Sequence, residues 1–237
     1  MTLLITLLFG MTIFIGTLII LITKDNKKIA ELSISIAFSV LFLLIFLEVI
    51  PHCLEHLDYF SMIFYGLIGF GLLKLLDLFI PEHEHSHKKD HVFHIGIMAC
   101  VALVVHNIIE GMVLYSTLKS NFELGILLGI GIGLHNIPMG MVISSSLEIA
   151  NYSKSKILLT SFIVSLATFV GALIINLVGE VSEYIIGVMF ALTLGMLVYI
   201  VFFELYRHLK HQSKNNNITG FIIGAIIICI SLIFHNH

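Results

Sequence analysis

The sequence predicts an all-α, polytopic membrane protein with eight transmembrane helices. Its composition is 58% hydrophobic and only 11% charged, whereas a soluble domain has about a quarter of its residues charged. Apolar stretches of about 20 residues, the length that crosses a ~30 Å hydrocarbon core, recur along the whole chain. We therefore expect a single transmembrane domain over residues 1–237, in a multi-pass protein of the inner or plasma membrane.

The apolar runs are continuous and lack the alternation of barrel strands. Helices are expected for such runs, because a backbone in lipid must satisfy its hydrogen bonds internally. The predicted spans are 2–23, 29–50, 59–80, 93–117, 122–149, 156–178, 182–206 and 218–235.

The placement of positive charge predicts the orientation of these spans. If the amino terminus lies outside, four connections are cytoplasmic: 24–28, 81–92, 150–155 and 207–217. Because Lys and Arg concentrate in cytoplasmic loops, both termini are predicted to lie outside. Ten of the twelve Lys and Arg residues fall in or beside these connections, namely Lys24, Lys27, Lys28, Lys88, Lys89, Lys154, Lys156, Arg207, Lys210 and Lys214.

The connection 81–92, between spans three and four, is strongly polar and rich in histidine. We expect a flexible cytoplasmic loop that binds metal ions weakly. The alternative is a solvated linker whose histidines bind nothing. The candidate loop ligands are His83, His85, His87 and His91.

Two hexapeptides in spans four and five share one frame of His, Asn and Ile followed by a final Gly. They are His106-Asn-Ile-Ile-Glu-Gly111 and His135-Asn-Ile-Pro-Met-Gly140. Helical residues i and i+4 lie on one face, so His106 and Glu110 should face the same cavity. Ionisable groups at bilayer depth cost about 2.5 to 3.5 kcal/mol on insertion scales, which makes them functional candidates. The candidate metal ligands are His106, Asn107, Glu110, His135, Asn136 and Met139.

Span five carries further features of a wall around an ion site. Pro138 cannot donate a backbone hydrogen bond and should kink the helix beside His135. Gly125, Gly129 and Gly133 recur at four-residue spacing and should let span five approach a neighbouring helix closely.

Imidazole nitrogen with carboxylate and amide oxygen suits Zn²⁺, Mn²⁺ or Fe²⁺. Two other functions fit the same histidines: an intramembrane metalloenzyme that activates water at zinc, or an electron-transfer protein with His106 and His135 as axial haem ligands. A His-x-x-x-Glu spacing, in place of His-Glu-x-x-His, disfavours the enzyme. The neighbouring Glu110 favours a hydrophilic ion over haem.

The eight spans, the His-rich loop and the paired hexapeptides resemble the ZIP (Zrt/Irt-like protein) family of divalent metal transporters, nearest its bacterial GufA-type branch. The resemblance covers essentially the whole chain. It implies a ZIP-like helix bundle, usually a homodimer, in which spans four and five, with contributions from two, six and seven, carry Zn²⁺ or a related divalent cation into the cytoplasm. It implies neither an enzyme nor a prosthetic group, and no nucleic-acid partner.

Carried over residue by residue, the resemblance implies a main metal site on His106, Glu110 and His135. A neighbouring second site would involve Asn107 and Asn136. These assignments rest on the matching hexapeptides.

Three further positions, Glu204, Met139 and Thr168, also bear on the resemblance. Glu204, near the cytoplasmic end of span seven, matches an acidic residue on the exit side of the family's pathway. Met139 stands where the family usually has a bridging glutamate, and Thr168 offers a hydroxyl where many GufA-type members have a glutamate. We therefore expect one bound metal where the family has two. The open consequences are altered selectivity, lower affinity, or a homologue that senses metal without transporting it.

The end of span two allows two interpretations. Glu48 and His52 flank Pro51, and they form either an outer entrance that gathers cations by negative charge or a proline-terminated helix end with interfacial polar groups. In span three, Lys74 and Asp77 have the spacing of a structural i,i+3 ion pair.

Overall fold

The structure is a computed structural model that describes residues 1–23, 27–79, 88–179, 181–210 and 212–235. Within these ranges the chain is helical without strands, and eight helical spans are long and apolar enough to cross a membrane. The predicted all-α, eight-span architecture is confirmed. In order, spans one to eight are Thr2–Ile22, Glu31–His56, Tyr59–Leu78, Gly96–Ser120, Phe122–Ile149, Lys154–Val178, Glu183–Leu209 and Lys214–Phe234.

An even number of spans places both termini on one side of the membrane. The assignment of that side to the outside rests on the charge distribution.

Several spans are composed of more than one helical segment. Spans two and seven each contain a π-helical segment, Ile45–Val49 and Ile200–Leu205. The α-helical segments are Thr2–Gly10, Thr12–Ile22, Lys27–Leu44, Ile50–His56, Tyr59–Phe79, Lys88–Ser120, Phe122–Ile149, Lys154–Val178, Glu183–Tyr199, Tyr206–Leu209 and Lys214–His235.

The boundary of the loop before span four differs from the prediction. The helix begins at Lys88, so residues 88–92, which we expected in the loop, are helical. His83, His85 and His87 lie outside the described residues, as does the side chain of His91. The weak metal site expected there stays a prediction.

The predicted end of span two near Pro51 is wrong, because the helix continues to His56. A π-helical segment precedes the proline, and in it the Ile50 N–H bonds to the Ile45 carbonyl, five residues back. This wider turn accommodates a residue that cannot donate an i to i−4 hydrogen bond. Glu48 is consequently buried within the span rather than placed at its end.

Burial separates central spans from peripheral ones. In spans two, four and five, 67% of the residues in the most apolar window are buried, compared with 22% in spans three and eight. The side chains of spans three and eight therefore face mainly lipid. The polar hexapeptides lie on the two central spans that carry no π-helical segment.

The glycine that ends each hexapeptide lies at a close helix crossing. A Cβ on Gly111 would overlap the Thr168 carbonyl oxygen of span six, and one on Gly140 would overlap the Ile13 carbonyl oxygen of span one. Close backbone approach between membrane helices requires such small residues. Each hexapeptide thus carries both its polar groups and the contact that fixes its helix against a neighbour.

The glycine-rich face of span five packs as predicted from the spacing. Gly129 lies against the Phe9 ring of span one. On the opposite side, the Gly131 carbonyl accepts a 2.7 Å hydrogen bond from the Ser231 hydroxyl of span eight. Span five remains one helix through Pro138, and its glycines pack against spans one and eight.

Span three begins with a cap formed by Asp58. Its carboxylate accepts hydrogen bonds from the Ser61 hydroxyl at 2.7 Å and from the backbone N–H groups of Ser61 and Phe60. The Ser61 hydroxyl bond, together with these backbone bonds, lowers the pKa of Asp58 below its ordinary value. This cap satisfies otherwise unpaired N–H groups at the start of the helix.

Replacing Gly140 with alanine should destabilise the bundle, because the added methyl group would overlap the Ile13 carbonyl oxygen. Overpacking of this kind costs about 1 to 3 kcal/mol. Gly71→Ala is the matched control, since no other described atom lies within 4 Å of a Cβ there. Thermal unfolding of the purified protein should show a lower midpoint for Gly140→Ala only. Equal midpoints for the two variants would contradict the close crossing.

Candidate metal site

Two imidazoles and a carboxylate meet between spans four and five. His135 Nε2 lies 2.7 Å from Glu110 Oε1 and His106 Nε2 lies 2.9 Å from the same oxygen. The candidate ligand atoms of these three residues lie within 4.8 Å of one another, and all three side chains are buried. The i,i+4 spacing brings His106 and Glu110 together, as the sequence predicts, and the packing of span five adds His135.

The two histidines meet the carboxylate differently. His135 Nε2 forms a hydrogen bond with Glu110 Oε1. His106 Nε2 is close to the same oxygen but poorly aligned for a hydrogen bond, and His106 Nδ1 has no partner among the described residues. The Nε2 atoms of both histidines lie within 2.9 Å of one carboxylate oxygen, so the three side chains are close enough to share one divalent cation.

The two asparagines of the hexapeptides are fully buried, and neither amide has a hydrogen-bond partner in the described part of the chain. This holds for the Oδ1 and Nδ2 atoms of both Asn107 and Asn136. A buried polar group without a partner costs about 1 to 3 kcal/mol. Buried amide oxygens next to His106 and His135 therefore suit water or a cation that enters the site.

Met139 and Thr168 are also buried, as expected of positions near the site. The Thr168 hydroxyl has no hydrogen-bond partner among the described residues. Its backbone lies against Gly111, the neighbour of Glu110. The structure thus brings span six close to the site through Thr168, without placing it among the three converging ligands.

Ser231 of span eight orients His135, and the sequence analysis missed it. Its hydroxyl donates to the Gly131 carbonyl and accepts a bond of 3.4 Å from His135 Nδ1. A second hydrogen bond of this kind fixes the tautomer of a metal-binding histidine and leaves the other nitrogen for the ion. The available signal was a single serine within the apolar run of span eight.

Glu48 and Glu204 lie outside the cluster, in equivalent settings. Each is buried within a π-helical segment, Glu48 in span two and Glu204 in span seven. The Glu48 carboxylate is near enough to His135 to interact with it electrostatically. Glu204 lines a polar cavity near the end of span seven. π-helical segments occur frequently at functional sites.

The remaining predicted residues take local roles. His52 Nδ1 donates to the Glu48 carbonyl at 2.9 Å, and its ring packs against Phe190. The predicted ion pair between Lys74 and Asp77 is confirmed, with a separation of 2.6 Å. Tyr199 also donates to Asp77, at 2.7 Å.

Fold and side-chain geometry together define a polytopic membrane protein whose helix bundle encloses two histidines and a glutamate that could hold a metal ion. The profile described as ZIP Zinc transporter matches residues 80–232. Over almost the full length, the chain is also similar to proteins called zinc transporter ZupT. The chain belongs to the ZIP zinc transporter family, a family of membrane transporters rather than enzymes, and it is a multi-pass protein of the cell membrane.

Three relatives illustrate the extent of this similarity. The ZupT protein of Chlorobium luteolum is 33% identical, with 98% of this chain and 96% of the relative covered. That of Streptococcus mutans serotype c is 30% identical, with 96% and 95% covered. That of Escherichia coli O7:K1 is 28% identical, with 98% and 95% covered.

Removing the Ser231 hydroxyl should weaken zinc binding by about 10- to 100-fold, the usual cost of losing a group that orients a metal-binding histidine. Ser146→Ala is the control, because this buried hydroxyl has no hydrogen-bond partner among the described residues. Isothermal titration of both purified variants with Zn²⁺ provides the comparison. If Ser231→Ala binds zinc as tightly as Ser146→Ala, Ser231 does not orient the ligand.

Proposed function

We propose that this protein carries Zn²⁺ or a related divalent cation into the cytoplasm through a site formed by His106, Glu110 and His135. The observation that carries the proposal is the convergence of two ring nitrogens on one buried carboxylate oxygen. This donor set suits Zn²⁺, Mn²⁺ and Fe²⁺. The names of the relatives, zinc transporters, favour zinc among these metals.

Affinity at the site must be limited for the ion to leave it. Only one carboxylate is present in the two hexapeptides, since Met139 occupies the position equivalent to Glu110. A thioether is a weak ligand for zinc, whereas the amide oxygens of Asn107 and Asn136 are harder donors. We assign these two asparagines to an auxiliary position beside the main site. A channel or carrier needs such moderate, multi-site binding to release its ion.

The path proposed for the ion passes two further carboxylates. If the termini lie outside, Glu48 is on the outer part of span two and Glu204 is on the cytoplasmic part of span seven. Cations would then enter past His52, meet the buried carboxylate of Glu48 deeper in span two, bind at the central site, and leave past Glu204. Local negative charge at entrance and exit raises the concentration of cations there.

Alternating access is the mechanism that the packing supports. Span two packs against span eight, and span seven packs against span three. The two pairs run in opposite directions through the membrane, and each has a buried glutamate in a π-helical segment. In many transporters, groups of helices with opposite orientation rock against each other around a fixed site near the membrane centre, and we propose the same movement around the site on spans four and five. The homodimer implied by the family resemblance stays a prediction.

A metal sensor that does not transport is the alternative, and the specific observation behind it is Met139 in place of the family's usual glutamate. Both functions require zinc at the central site. Only the transporter requires metal flux across a bilayer, so uptake separates them.

Uptake into proteoliposomes should fall to the background of protein-free vesicles when His106 and Glu110 are both replaced by alanine, because two of the three converging ligands are lost. Glu110→Gln alone should have nearly the same effect, since it removes the one carboxylate. Glu123→Gln is the control, because Glu123 is exposed in the first turn of span five. A fluorescent zinc sensor inside the vesicles measures the flux. Wild-type rates in the double variant would show that the central site is not on the path.

Replacing Met139 with glutamate should raise the number of bound zinc ions from one to two. The added carboxylate would lie on the same helix face as His135, one turn along, and beside the buried amide oxygens. Met139→Leu preserves size without a ligand and should still bind one ion. Anomalous scattering from zinc-soaked crystals counts the ions. One ion in the Met139→Glu protein would contradict the expectation that methionine is what limits the site to a single metal.

A further inference from the structure

A polar cavity of about 340 Å³ lies between the ends of spans three and seven. Three positive and two negative side chains line it, so its net charge is +1. The charge distribution of the chain predicts that this end of both spans is cytoplasmic. The polar lining residues are Lys74, Asp77, Tyr199, Glu204, Arg207 and Lys210.

Two of the cations are available to a ligand. Lys74 is engaged by Asp77 at 2.6 Å. Arg207 and Lys210 form no ion pair with a carboxylate among the described residues, and Lys210 Nζ lies 4.7 Å above the centre of the Tyr206 ring. An arginine beside a lysine, at the edge of a polar cavity, suits a phosphate group.

An apolar groove of about 400 Å³ adjoins this cavity on the other side of span seven. It lies between spans two, seven and eight, and it shares Tyr206 and Lys210 with the polar cavity. Ile218 and Ile222 are at least half exposed on its rim. Its apolar lining residues are Phe38, Leu209, Ile218, Phe221 and Ile222, with Tyr206 at the boundary.

We propose that an anionic phospholipid binds here, with its phosphate at Arg207 and Lys210 and an acyl chain in the groove. The charge of the cavity complements the headgroup, and the adjoining groove faces the bilayer, where an acyl chain is already present. Basic pockets between transmembrane helices on the cytoplasmic side bind such headgroups. A soluble phosphate would use the cavity but not the groove. The polar cavity shares Glu204 with the proposed exit path, but Arg207, Lys210 and the groove take no part in the proposed metal path, so the proposal does not depend on the transport function.

The test measures lipid binding to the purified full-length protein by native mass spectrometry after delipidation. The probes are dioleoyl phosphatidylglycerol, dioleoyl phosphatidylcholine, glycerophosphoglycerol as the bare headgroup, and inorganic phosphate. Arg207→Gln combined with Lys210→Gln removes both cations. Lys154→Gln combined with Lys156→Gln is the matched control, since it removes the same charge from another predicted cytoplasmic connection, and Lys156 also lies over a tyrosine ring, that of Tyr152.

The wild type and the control should bind phosphatidylglycerol at least tenfold more tightly than phosphatidylcholine. The Arg207 and Lys210 double variant should bind it roughly thirtyfold more weakly than the wild type. Ile222→Trp, which fills the groove, should also weaken this binding. Equal binding of the two lipids, equal losses in variant and control, or equal occupancy by the bare headgroup or inorganic phosphate would overturn the proposal. Should the double variant not fold, Lys210→Gln alone provides the same comparison with Lys156→Gln.

Discussion

The fold is organised around one carboxylate oxygen. Glu110 Oε1 is the point at which the imidazoles of spans four and five meet. A carboxylate buried in a membrane protein is costly unless positive or hydrogen-bonding groups face it. Two histidines supply such groups, and a divalent cation can replace their protons. The same contact therefore joins spans four and five and groups three side chains that could bind an ion.

The helices that carry these three side chains are positioned by close crossings at glycine residues, which lie away from the polar atoms themselves. Gly111 and Gly140 let spans six and one approach the backbones of spans four and five. The crossings are reciprocal, because a Cβ on Gly171 of span six would overlap the Ile108 carbonyl, and one on Gly16 of span one would overlap the Ile137 carbonyl. Span six thus packs closely against the hexapeptide of span four, and span one packs closely against the hexapeptide of span five. The repeated frame in the sequence is both a ligand pattern and a packing pattern.

The spans and the contact between His106 and Glu110 could be predicted from the sequence because both depend on short-range rules. Span length follows from membrane thickness, and the pairing of His106 with Glu110 follows from helical periodicity. Ser231 could not be predicted in the same way, since its contact with His135 joins residues 96 positions apart. The end of span two could not be predicted either, because a proline normally indicates a helix end, and a π-helical segment that accommodates it has no sequence pattern of its own.

The π-helical segment of span two has a counterpart in span seven. A π-helical turn adds a residue to the helix and so rotates the side chains on either side of it relative to each other. In both spans the rotated segment contains a glutamate, and in both the glutamate is buried instead of facing lipid. The Ile50 N–H bonds to the Ile45 carbonyl and the Tyr206 N–H bonds to the Val201 carbonyl, so both spans use the same i to i−5 device. Spans two and seven are thus oppositely oriented helices that share one feature, a π-helical segment with a buried glutamate in it. Because the extra residue rotates the helix, converting either segment to a regular α-helix would change the direction of its glutamate relative to the rest of the span, so the burial of Glu48 and Glu204 depends on the backbone geometry of these two segments.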